Sequence, residues 1–62
     1  MKFIEVYTKQ NDTLVYVNID HIISIIVDKH NVKLVLISNE VLEIEETIHE
    51  LKEIINVYKK LI

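Results

Sequence analysis

The segment His21–Ser38, HIISIIVDKHNVKLVLIS, sets the terms for any fold of this chain. Two aliphatic runs flank a polar break, Asp28-Lys29-His30-Asn31, and apolar residues occupy both odd and even positions. β-branched side chains lose little freedom on a pleated surface and so favour strands. The segment therefore predicts two strands, Ile22–Asp28 and Val32–Ser38, joined by a turn over Asp28–Asn31. Alternation puts Ile23, Ile25 and Val27 on one face, with Ile22 and Ile26 on the other, flanking Ser24. On the second strand Val32, Leu34 and Leu36 oppose Val35 and Ile37, which flank Lys33. A sheet buried on one side shows a polar outer face; here both faces are apolar.

The rest of the chain reads as three strands and one helix. Phe3–Thr8 and Thr13–Asn18 form a predicted hairpin around the turn cluster Gln10-Asn11-Asp12. At Asn18 an Asx turn redirects the chain into the third strand. Ser38-Asn39-Glu40 makes a further tight turn, and Val41–Glu45 alternates as a half-exposed strand. From Glu46 the period changes. Thr47 followed by Glu50 is a capping box. Ile48, Leu51, Ile55, Tyr58 and Ile62 then follow helical spacing, with Ile54 and Leu61 widening the stripe. The expected fold is a single α+β domain over residues 1–62: a small antiparallel β-meander of four to five strands followed by one C-terminal helix. Its expected core is Ile4, Val6, Val15, Val17, Ile23, Ile25, Val27, Leu34, Leu36, Leu42, Ile44, Ile48, Leu51, Ile55 and Tyr58.

One helix of about 15 residues is about 22 Å long and covers one face of such a sheet. The other face needs a second layer, and the chain has no residues left to build one. Size sharpens the point, because 62 residues lie near the lower limit for independent folding. Apolar burial contributes on the order of 95 kcal/mol. Conformational ordering costs about 93 kcal/mol. There is no cysteine for a disulfide, and no Cys/His set at metal spacing. Self-association is therefore expected through Ile22, Ile26, Val35 and Ile37. The alternatives are a sheet that coils into a monomeric half-barrel and a layer supplied by a different protein.

Composition narrows function mostly by exclusion. The absence of glycine rules out glycine-rich phosphate loops, and leaves Asn and Asp as the residues expected in left-handed turns. All seven basic residues are lysine and the formal charge is −3, which argues against nucleic acid and against an anionic membrane. Met1-Lys2 leads into strand-like alternation instead of a signal sequence, and no apolar run reaches the ~18 residues of a membrane span. The chain reads as soluble and cytoplasmic.

Residues capable of chemistry are scattered. His21, His30 and His49 fall on a turn, a hairpin tip and a polar helix face, none with a second ligand at metal spacing. Glu43, Glu45, Glu46, Glu50 and Glu53 gather around the last strand and first helical turns. They read as a solvated face, with Glu50 assigned to the cap. Tyr7 and Tyr16 lie on paired strands, as a core edge or interface would have them. No nucleophile has a base beside it, so no enzyme, catalytic residue, metal or cofactor is expected. The reading is a small non-enzymatic protein-interaction module acting as a homo-oligomer. The alternatives are a nucleic-acid-binding regulator using Lys29, His30 and Lys33, or a phage or mobile-element protein that binds and inhibits a host factor.

The run LVYVNIDHIISI, followed by VKLVLISNEVLEIEETIHELKEII, resembles the small FlbD-type flagellar and swarming-motility proteins over nearly the whole chain. Asn18, Asp20 and Ile22 match that family's Asn-x-Asp-x-Ile segment, and Ile44, Glu45 and Glu46 stand at its helix entry. The chain has Asn11-Asp12 and Lys29-His30-Asn31 where the family has glycine turns and a Thr-Pro-Asp-Thr-like tip. The resemblance implies a role in protein interaction and carries over no catalytic residue.

Overall fold

A computed structural model of the protein describes residues 2–59, with the side chains of residues 2–57. The elements run β1 (Phe3–Thr8), β2 (Thr13–Asn18), a 3-10 turn (Ile19–His21), β3 (Ile22–Asp28), β4 (Asn31–Leu36), β5 (Val41–Ile44) and α1 (Ile48–Lys59). The five strands make one antiparallel sheet, and the single helix closes the chain, so the fold is the expected α+β arrangement.

The strand order is β2-β1-β5-β4-β3. Neighbours in sequence pair except at one place: β2 does not pair with β3, and β1 takes β5 instead. β1 and β2 match over six residues, from Phe3 opposite Asn18 to Thr8 opposite Thr13. β1 and β5 meet only at a corner. Thr8 is opposite Ile44, the Lys9 N–H donates to the Glu43 carbonyl at 2.9 Å, and the Glu45 N–H donates to the Tyr7 carbonyl at 2.8 Å. The ladder ends where the Tyr7 N–H donates to both carboxylate oxygens of Glu46 at 3.1 Å. The sheet thus stays open, with β2 and β3 as its edges.

One face of the sheet carries the core. Ile4 and Val6 of β1, Val17 of β2, Val32 and Leu34 of β4, and Leu42 and Ile44 of β5 are buried there. Leu51 seats the helix on this cluster, flanked by Ile48, Ile54 and Ile55. The capping box is formed in both directions: the Glu50 N–H donates to Thr47 Oγ1 at 3.2 Å, and the Thr47 N–H donates to Glu50 Oε1 at 3.0 Å. The side chain of Tyr58, and residues Leu61 and Ile62, lie outside the described part.

β3 departs from simple alternation. Ile22 is opposite Leu36 and Ser24 is opposite Val35, so Ile23 is an extra residue in a bulge. Two residues of β3 then face one step of β4. The bulge turns Ile22 to the core side beside Leu36 and leaves Ile23 58% exposed. Ile25 and Val27 do point to the core side, opposite Leu34 and Val32. They remain 38% and 47% exposed because β3 is an edge strand with no neighbour on its outer flank. Ile23, Ile25 and Val27 are thus not in the buried core, and Ile22 packs against it.

Three residues have positive φ: Asp12 at 48°, Lys29 at 57° and Asn39 at 70°. Two are the expected Asn and Asp types; Lys29 is the exception. At Asn18 the Asx turn is present, its Oδ1 accepting the Asp20 N–H at 2.9 Å.

Candidate interaction surface

Cross-strand partners share a face, and the registers therefore define the side of the sheet opposite α1. From β2 across to β3 it carries Leu14 and Tyr16; Phe3, Glu5 and Tyr7; Val41 and Glu43; Lys33 and Val35; and Ser24 and Ile26. Ile37, just past β4, continues it; its N–H donates to the His21 carbonyl at 2.8 Å. No described element covers this face. Ile26 is 47% and Ile37 56% exposed, and Val35 is half-buried between its neighbours. Of the four residues expected to associate, Ile26, Val35 and Ile37 share the open side. Ile22 does not, because of the bulge.

Several polar groups on this face lie opposite one another or are bonded to one another. Lys33 is directly opposite Glu43. Lys9 reaches the Glu43 carboxylate at 4.0 Å and donates to Asn31 Oδ1 at 2.7 Å. Glu5 is opposite Tyr16, and a hydrogen bond with Glu5, together with the Glu5 charge, pushes the Tyr16 hydroxyl pKa up. The apolar residues thus flank a charge-paired centre, and the face presents little net charge to a partner.

Three further glutamates, Glu45, Glu46 and Glu50, have local duties. Glu46 ends the β1–β5 ladder, and hydrogen bonds from the Thr47 backbone and hydroxyl hold Glu50 below the usual carboxylate range. The Glu45 carboxyl is pushed up, first by sharing a hydrogen bond with Asp12 and then by burial and by the Asp12 charge. Among the described residues no group of three His, Asp or Glu is placed to hold a metal ion.

Lys29 and His30 line a groove of about 230 Å³ with Thr47, Ile48 and His49, on the helix side of the sheet. Lys33 points to the opposite side. The three residues that the nucleic-acid alternative would use are therefore divided between two faces. A larger groove of about 470 Å³ lies where the sheet is open, between β2 and β4. Val15, Leu36 and Leu42 line it together with Tyr16, His21 and Glu40, and it contains no serine, threonine or cysteine. No described helix is long and apolar enough to cross a membrane.

The bulge and the edge position of β3 were not visible in the sequence, because both depend on partners distant in the chain. Alternation alone located Ile26, Val35 and Ile37. The class defined so far is a small α+β sheet with one covered and one open face. Set against protein-family models, curated proteins and solved structures, the chain matches none of them.

Proposed function

We propose that the protein is a small non-enzymatic interaction module that works inside the cell as a homo-oligomer. The observation that carries this reading is the open face, where Ile26, Val35 and Ile37 stand exposed or half-exposed opposite the helix-covered core. Surface area supports it. The accessible surface is 4619 Å², against about 4,200 Å² for a compact monomer of this mass. That is a surplus of roughly 10%, and the exposed large hydrophobics include Ile26, Ile37 and Val41 of this face. Burial of such surface is the main driving force for association.

Light scattering over a dilution series tests the proposal. The expected result is an oligomer that dissociates only at low concentration. Ile26→Glu makes the test specific. A glutamate at position 26 lies opposite Lys33, which favours the monomer fold, while any assembly burying this position must strip water from a charge. The variant is expected to remain folded by circular dichroism and to be monomeric. A wild-type chain that is folded and monomeric throughout would remove the proposal.

A further inference from the structure

We infer that a second copy docks along β3, pairing β3 with β3 antiparallel about a two-fold axis at Ile26 to form one continuous ten-stranded sheet. The inference rests on the self-association reading above and names the edge through which it happens.

The two edges of the sheet differ. On β2 the core-facing Val17 is buried and Val15 half-buried. On β3 the core-facing Ile25 and Val27 are exposed, and so is Ile26 on the other face. β3 is therefore the edge whose side chains lack a lateral neighbour on both faces. It also carries few of the devices that protect free edges, a bulge at its start and Asp28 at its end. Ile22–Val27 contains no lysine, no proline and no inward-pointing charge, and its one bulge lies at the start, leaving Ser24–Asp28 regular.

The backbone fits the same conclusion. β3 and β4 are joined by the two-residue loop Lys29-His30, with Asp28 opposite Asn31 as the closing pair. In such a hairpin the closing pair exchanges both hydrogen bonds, and bonded and non-bonded pairs then alternate. Asp28, Ile26 and Ser24 accordingly turn their backbone groups toward β4. Val27 and Ile25 turn theirs outward.

A second copy matches this edge in one register. Antiparallel pairing keeps the faces aligned only when a core-side residue meets a core-side residue. Centring the axis on Ile26 sets Ile26 opposite Ile26, Ile25 opposite Val27, and Ser24 opposite Asp28. The outward groups of Ile25 and Val27 then bond each other, twice by symmetry. Apolar meets apolar at Ile25, Ile26 and Val27, and the Ser24 hydroxyl can donate to the carboxylate of Asp28 of the second copy. Centring on Ile25 instead sets Ser24 against Ile26, and centring on Val27 sets Asp28 against Ile26. A foreign strand has no reason to share this pattern; a second β3 carries it by construction. The pairing is isologous and closes at two copies.

Single-cysteine variants test the inference, since the native chain has no cysteine. In Ile26→Cys the axis brings two sulfurs across a non-hydrogen-bonded pair, with Cα atoms about 4.5 Å apart, within reach of a disulfide. Mild oxidation is expected to convert Ile26→Cys into covalent dimer much faster than Tyr16→Cys, which is exposed on the same face but on β2. Val27→Pro removes an outward N–H that no intrachain ladder bond uses. With two hydrogen bonds lost per dimer, dissociation should strengthen by on the order of tenfold or more. If Val27→Pro does not fold, the cross-linking comparison decides alone. A wild-type oligomer whose Ile26→Cys variant cross-links no faster than Tyr16→Cys associates away from β3, which overturns edge pairing and leaves the self-association reading standing. A wild-type chain monomeric at every concentration overturns both.

Discussion

Lys29 occupies a conformation that its side chain disfavours, at φ 57°. A Cβ in the left-handed region crowds the following carbonyl, at roughly 1–2 kcal/mol per residue. Asn31, two positions on, would bear it more easily, yet the register forbids the shift. Placing Asn31 at the left-handed position of the same two-residue loop would draw Val32, which is buried, out of β4 and into the turn. Burial of Val32 therefore outweighs the turn preference, and the strain stays at Lys29. Lys29→Gly is expected to stabilise the fold by about 0.5–1 kcal/mol, since glycine loses some of the gain to its freer unfolded chain. For a domain of this size that raises Tm by roughly 3–6 °C. Asn39→Gly should gain less, because asparagine already tolerates φ 70°. Equal Tm values for wild type and Lys29→Gly in thermal melts would mean that no strain is stored there.

Among the elements, α1 depends on one side chain more than any other. Leu51 is fully buried, whereas Ile48, Ile54 and Ile55 are only partly so. Leu51→Ala is expected to cost about 2–5 kcal/mol, a large share of the ~3–9 kcal/mol that a domain of this length holds. Chemical denaturation should show the loss, with Val57→Ala, at an exposed position, as the neutral control; a Leu51→Ala midpoint matching the wild type would refute the anchoring role. The helix and its cap were legible in the sequence because the i, i+3/i+4 stripe and the Thr47–Glu50 pair are local signals. The strands were legible for the same reason, each from its own alternation. The bulge at Ile23 was not. A bulge exists only in the count of residues against a partner strand, and nothing within IISIIVD marks which isoleucine is surplus. One misplaced residue moved Ile22 to the core side, and placing β3 at the edge exposed Ile25 and Val27. The β1–β5 corner was equally hidden, since it joins Lys9 and Tyr7 to Glu43, Glu45 and Glu46 across more than thirty positions of sequence.

At the scale of the whole molecule, hydrogen-bonded continuity and chain continuity follow different routes. The sheet runs from β2 through β1 and β5 to β3, while the peptide runs from β2 directly to β3 through the Ile19–His21 turn. Nothing in the ladder crosses that turn. It is a covalent link that raises the effective concentration of the β1–β2 hairpin and the β3–β4–β5–α1 unit for each other. The recognition between the two units lies elsewhere, in the β1–β5 corner and in the contact of Ile4, Val6 and Val17 with the shared core. Severing the chain after Asp20 is therefore expected to leave two fragments that recombine when mixed at high micromolar concentration. Recovery of the strand signal in circular dichroism on mixing, beyond the sum of the separate fragments, would show it; a spectrum equal to that sum would show that the covalent link is indispensable. The chain is in this sense a heterodimer of two short peptides that happens to be synthesised as one.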